Sequence, residues 1–125
     1  MHVDEGTLSE YAEAVLDVVD SVPPGRVTTY GRVAALLSGA GLGGSARSVG
    51  SVMASHGAAV AWWRVCPVDG SPPAHPQEAV RRWHEEGTPV RRPRDRGQRP
   101  DAAQVRVDVA AALSELRLPG WVGQR

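Results

Sequence analysis

Lysine is absent from this chain, and all fourteen of its basic residues are arginine. Arginine offers a planar fork suited to phosphates and base edges, although a codon bias towards Arg, Ala, Gly and Pro would give the same composition. Cysteine is nearly absent too. The single Cys66 excludes an internal disulfide and a cysteine-based zinc site. Long apolar runs are missing: the longest, 58–63 and 109–113, are too short to span a membrane. No basic stretch precedes an apolar run near Asp4 and Glu5, so no signal peptide is expected and the expected location is the cytoplasm. What remains is one domain's worth of chain, 125 residues and 42% hydrophobic, enough for a real but marginal core.

The formal charge sums to zero but is unevenly spread. Residues 1–20 carry six acids and no base, whereas 21–70 and 71–100 each carry a net +3, and 101–125 balance. An acidic N-terminal segment therefore precedes a basic body, which is compatible with a nucleic-acid face.

Thr7 with Glu10 fits a capping box, and Tyr11, Ala14, Val15, Val18, Val19 and Val22 follow at helical spacing. Val22-Pro23-Pro24-Gly25 stops that helix. Thr28 or Thr29 can cap a second helix bearing Tyr30, Val33, Ala34 and Leu37 and ending at Gly39. After a glycine-rich turn, Ser45 can cap a third helix, to about His56, with Ala46, Val49, Val52 and Met53 on its apolar face. Its other face is small (Ser48, Gly50, Ser51, Ser55), and Arg47 is the one charged side chain in its first turn. Two helices joined by this turn make a helix-turn-helix pattern. The apolar stretch 58–65 leads into a strand end at 66–68 and a turn at Asp69-Gly70. A fourth helix starts near Pro76 or Gln77, uses Ala79, Val80 and Trp83, and ends at Gly87. Residues 91–101 look like an Arg- and Pro-rich linker, and Val105, Val109, Ala112, Leu113 and Leu116 predict a last helix within a tail, 102–125. The fold class expected is mainly α with a small β element.

Three segments carry chemistry. In 24–34, Tyr30 begins a helix, where its hydroxyl could meet a phosphate or simply edge the core. In 45–53, Arg47 among small residues has room to enter a groove or a base stack, or else makes a surface salt bridge. In 61–65, Trp62 and Trp63 would point to opposite faces of a strand, so one fills the interior and the other lines a pocket or stacks on a base.

Taken in order, these segments resemble the DNA-binding domain of the O6-alkylguanine-DNA alkyltransferases. That family has Pro-x-Gly-x-Val-x-Ser/Thr-Tyr, matched by 24–30, then Ala-Arg-x-Val-Gly, matched by 46–50, then Pro-Cys-His-Arg-Val, whose place is taken by Ala61-Trp62-Trp63-Arg64-Val65. Gly70 and Glu86-Gly87 also fall where the family has Gly and Glu-Gly. The resemblance covers about 8–90 and implies a winged helix-turn-helix domain over 1–90. The position of the family's alkyl acceptor, Cys, is held here by Trp62. That is similar to the alkyltransferase-like proteins, which bind O6-alkylguanine without removing the alkyl group. Indole has no thiolate and cannot be the nucleophile. Trp63 stands in place of the proton-relaying His.

The resemblance implies a non-enzymatic damage sensor that flips O6-alkylguanine out of duplex DNA through the minor groove and hands it to nucleotide excision repair proteins. Tyr30, Trp62, Trp63 and Arg64 would form the lesion pocket. Thr29, Tyr30, Arg32, Ala46, Arg47, Ser48, Gly50 and Ser51 would meet the DNA, with Arg47 filling the gap left by the flipped base and Tyr30 pressing on the phosphate. No catalytic residue, cofactor or metal is expected; the state expected is a monomer, associated with the nucleoid and not with a membrane. Two alternatives stand beside this. Cys66, four residues beyond Trp62 and on the same side of an extended strand, could act as a substitute acceptor, although His56, His75 and His84 sit in other segments. Alternatively the chain is a winged-helix regulator reading undamaged sequence, which calls for several Arg, Asn or Gln on the third helix.

Overall fold

The computed structural model describes residues 9–92 and 101–122. Helix α1, Glu10–Asp20, begins where the Ser9 hydroxyl accepts a hydrogen bond from the Ala12 amide. Ser9 is therefore its cap; Thr7, expected in that role, lies outside the described residues. Ala14, Val15, Val18 and Val19 fall on one side of α1 and are fully buried, while Glu13, Asp17 and Asp20 face outward.

Helix α2, Tyr30–Gly39, is capped by Thr29, whose hydroxyl accepts from the Arg32 amide at 3.2 Å. Helix α3, Ala46–His56, is capped reciprocally: the Ser48 amide donates to Ser45 Oγ at 3.2 Å and the Ser45 amide to Ser48 Oγ at 2.7 Å. Three helices thus pack around Val15, Val18, Val33, Leu37 and Val49. Of the residues in α3 only Val49 is fully buried, so nearly all of that helix stays near the surface.

The β structure is small. Strand β1, Thr28–Thr29, pairs in parallel with β2, Val65–Cys66, with Thr28 opposite Val65 and Thr29 opposite Cys66. Helix α4, Pro76–Glu86, opens on a proline, where a missing amide costs nothing, and closes at Gly87 in the left-handed conformation, φ 72°. Beyond it, β3, Val90–Arg91, pairs antiparallel with β4, Arg106–Val107. Thr28 is fully buried and its hydroxyl has no hydrogen-bond partner among the described residues.

Mainly helical with a small β component is thus the architecture, as the patterning predicts. Two elements differ. The segment expected to run as a strand from 58 is instead two 3-10 turns, Gly57–Ala59 and Trp62–Arg64. Local bonds close them: the Val60 amide donates to the Gly57 carbonyl and the Arg64 amide to that of Ala61. Strand pairing starts only at Val65, so the opposite-faces argument for the two tryptophans does not apply.

The expected helix over 105–116 is also corrected. Only Val109–Ala112, helix α5, is helical, capped by Asp108. Val105 and Val107 instead alternate into the interior on and beside β4, where β-branched side chains fit a pleated chain. They join Val27, Cys66, Ala79, Trp83 and Ala112 in a second core. Leu113 then forms a parallel bridge with Val27. Residues 102–114 are therefore part of the folded body. Of the expected linker, 93–100 lie outside the described residues.

Candidate functional site

A pocket of about 320 Å³ opens where four segments converge. The start of α2 contributes Tyr30, and α3 contributes Gly50, Met53 and Ala54. Gly57, Ala58 and Trp62 come from the 3-10 turns, and Pro73, Ala74 and His75 from the loop before α4. The size is at the low end for small-molecule sites and suits one flat ring system. Trp62 and His75 meet edge to face, ring centres 5.7 Å apart, and Trp62 stands edge to face with Trp63 at 5.6 Å. No Asp or Glu is among the lining residues. Burial pushes the Tyr30 phenol up, and ionisation of the nearby Cys66 would push it further, so the hydroxyl is held protonated as a donor.

Trp63 and Arg64, expected in the pocket with Trp62, are not among its lining residues. They turn to Glu86 at the end of α4. Trp63 Nε1 donates to Glu86 Oε2 at 3.0 Å, Arg64 Nε to Oε1 at 3.1 Å, and Arg64 Nη2 to Oε2 at 2.6 Å. Arg64 Nη1 also donates to the Val22 carbonyl, and the Gly25 amide donates to Glu86 Oε1. Burial opposes ionisation of Glu86. The hydrogen bonds from Arg64, Trp63 and Gly25, with the charge of Arg64, outweigh it and hold the carboxyl below its ordinary value. Gly25 has φ +84°, and a Cβ there would stand 3.0 Å from the Glu86 carbonyl oxygen, so the turn opening the first motif needs glycine. This cluster ties that turn, the 3-10 turn under the pocket and the end of α4 into one unit.

The residues expected to meet DNA are distributed over α2 and α3. Arg32, Ala46, Arg47 and Ser51 are exposed, and Gly50 is half-buried at the pocket edge, where an added Cβ would meet nothing within 4 Å. Arg47 takes part in none of the ion pairs among the described residues. Thr29 is buried and occupied with its cap. Ser48 is also occupied, by its cap and by Tyr11, whose hydroxyl lies 2.9 Å from Ser48 Oγ.

Cys66 is fully buried in the second core and directs its thiol to the Trp63 carbonyl at 3.9 Å. Burial first, and the charge of Asp69 second, push that thiol up to about 12. The strand geometry that would have put it beside Trp62 is absent, and it does not line the pocket. Among the described residues no group of three or more His, Cys, Asp or Glu is placed to hold a metal ion.

Sequence reasoning missed Met53, Ala74 and His75 as pocket residues and Glu86 as the hub behind it. The signal available for His75 was its setting, Ser71-Pro72-Pro73-Ala74-His75-Pro76, a proline-stiffened loop next to a helix start.

The family model described as 6-O-methylguanine DNA methyltransferase, DNA binding domain, matches residues 10–87, more than half of the chain. No curated protein sequence matches the chain significantly. Among solved structures, S. pombe Atl1 in complex with damaged DNA containing O6-carboxymethylguanine is similar in fold, with a TM-score of 0.66 and 23% identity. That alignment covers 87% of this chain and 98% of the other. S. pombe ATL in complex with DNA is similar to the same extent, with a TM-score of 0.65, 24% identity and the same coverage.

Proposed function

The chain belongs to the family of the 6-O-methylguanine DNA methyltransferase DNA-binding domain, and from that premise we propose that it is a non-enzymatic sensor of O6-alkylguanine in duplex DNA. The observation carrying this reading is Trp62. By the motif resemblance it takes the place of the family's acceptor cysteine, and it lines the pocket. An indole offers a flipped base a flat apolar surface but no nucleophile.

The surroundings support the same reading. The pocket opens between Tyr30 and the Gly50, Met53 and Ala54 side of α3, so a helix lying in the minor groove would bring both to the duplex together. Arg47, exposed and in no ion pair among the described residues, is the side chain available to fill the gap left by an extruded nucleotide. Flipping costs a few kcal/mol, less for a damaged pair. The damaged duplex held by S. pombe Atl1 supplies the substrate class. A sensor without chemistry acts through others, and nucleotide excision repair proteins are the partners proposed. A regulator reading undamaged sequence would need several base-reading side chains on α3, and Arg47 near its start and His56 at its end are the two long polar side chains exposed there. The burial of Cys66 argues against its use as a substitute acceptor.

The test is fluorescence anisotropy at fixed salt, with two duplexes differing only in guanine or O6-methylguanine at one position. Tighter binding to the lesion, with the methyl group still on the DNA after incubation, is expected. Equal affinity for both duplexes, or transfer of methyl to the protein, would overturn the reading.

A further inference from the structure

We propose that His75 reads the substituent on the lesion's O6 atom and favours one ending in a carboxylate over a plain methyl. The proposal rests on the lesion-pocket reading above.

His75 lines the pocket and is exposed, and its imidazole has no hydrogen bond or ion pair among the described residues. Its one ring contact is the edge-to-face meeting with Trp62. The backbone that carries the imidazole is also restricted. Pro72, Pro73 and Pro76 restrict the loop, and a residue before proline is confined to extended backbone, which is where His75 sits, at φ −115° and ψ 95°. Ala74 adopts φ +49°, a conformation unfavourable for a residue with a side chain. Strain of that kind at a ligand-lining loop fits a position selected for what it presents.

The chemistry of the walls points to an anion. Tyr30, Trp62 and His75 bring hydrogen-bond donors, the remaining side chains are apolar or absent, and no carboxylate is there to repel a negative group or to occupy the imidazole. With a guanine ring against Trp62, a substituent one or two bonds longer than methyl extends towards its aromatic neighbour, His75. An imidazole N–H can donate to a carboxylate oxygen, and such bonds are stronger than neutral ones. A methyl group leaves the donor to water.

The experiment compares affinity for three duplexes carrying guanine, O6-methylguanine or O6-carboxymethylguanine at one position. The proteins are the parent chain, His75→Phe, which keeps a ring against Trp62, and His75→Gln, which keeps a donor. The parent is expected to prefer carboxymethyl over methyl by about tenfold, the scale of one charge-assisted hydrogen bond. His75→Phe should lose that ratio while still preferring O6-methylguanine to guanine, and His75→Gln should retain part of it. A ratio near one in the parent, or one unchanged in His75→Phe, overturns the proposal and leaves the sensor reading intact. Failure of the parent to distinguish either lesion from guanine overturns both.

Discussion

The Arg64 guanidinium meets the Glu86 carboxylate side-on, with Nε 3.1 Å from Oε1 and Nη2 2.6 Å from Oε2. Both side chains are mostly buried, with 15% and 13% of their surface exposed. The pair is a fork-to-fork contact whose spare capacity is used: Arg64 reaches back to the Val22 carbonyl, and Glu86 takes the Trp63 indole and the Gly25 amide. Two motifs separated by some forty residues in the chain are thereby fixed in relation to each other.

Glu86→Gln should destabilise the fold by about 2–3 kcal/mol, because it leaves a largely buried guanidinium without its counter-charge. Chemical denaturation of parent and variant measures this. The pH dependence follows from the lowered carboxyl. Folded Glu86 ionises more readily than an unfolded glutamate, so its contribution is full above the ordinary range near about pH 4.3 and is lost as pH falls through its folded value. The stability gap between parent and variant should therefore narrow on acidification below about pH 4.3. A gap constant down to acid unfolding would show that the pair is not its source.

Trp62→Ala should weaken binding to the O6-methylguanine duplex by about tenfold to a hundredfold, the worth of one base-aromatic stack, and change binding to undamaged duplex little. Trp62→Cys should not create a methyl acceptor. Trp63 has no proton-accepting nitrogen, and its indole N–H is spent on Glu86, so the residue in the place of the family's relay histidine supplies no base to a thiol at 62. Mass spectrometry after incubation with methylated DNA would detect the modified peptide if this is wrong.

Arg47→Ala should leave folding stability within about 0.5 kcal/mol of the parent, because the side chain is exposed and in no ion pair among the described residues. It should nonetheless weaken binding to damaged duplex. Titration across a range of salt concentrations separates two contributions. A shallower salt slope, by about one, marks a phosphate contact. Lost lesion preference at unchanged slope marks a role within the base stack.

Thr28→Val should stabilise the protein by about 1 kcal/mol. The Thr28 hydroxyl is buried without a partner among the described residues, and replacing it by a methyl group removes a desolvated polar atom while keeping the branched shape. Thermal unfolding would register a higher midpoint. An unchanged or lower midpoint would mean that the hydroxyl is satisfied by solvent.

Much of the scaffold was legible because its signals are local. Thr29, Ser45 and Gly87 sit where the caps were expected, since capping depends on a hydroxyl or a left-handed residue next to the helix. The direction of Trp63 was not legible. It depends on a 3-10 closure between Ala61 and Arg64 and on a carboxylate twenty-three positions away. The last helix was misread because Val105, Val109 and Ala112 fit a helical stripe while Val105 and Val107 equally fit a strand. Pairing with β3 decided between them. The nearness of His75 to Trp62 was not legible either, because it is created by a loop whose path no periodicity describes.

Val27, just ahead of β1, is bridged by Leu113, and its carbonyl accepts from the Ser114 amide at 2.8 Å. Gly70 is pressed so closely against the backbone of Val107 that a side chain there has no room. Both contacts join early segments to residues that leave the ribosome much later. The helical core around α1, α2 and α3 can gather while synthesis continues, but the strand that leads into Tyr30 lacks its flanking partner until residue 114 has emerged. A nascent chain stalled before that point would carry α2 on an unfinished support.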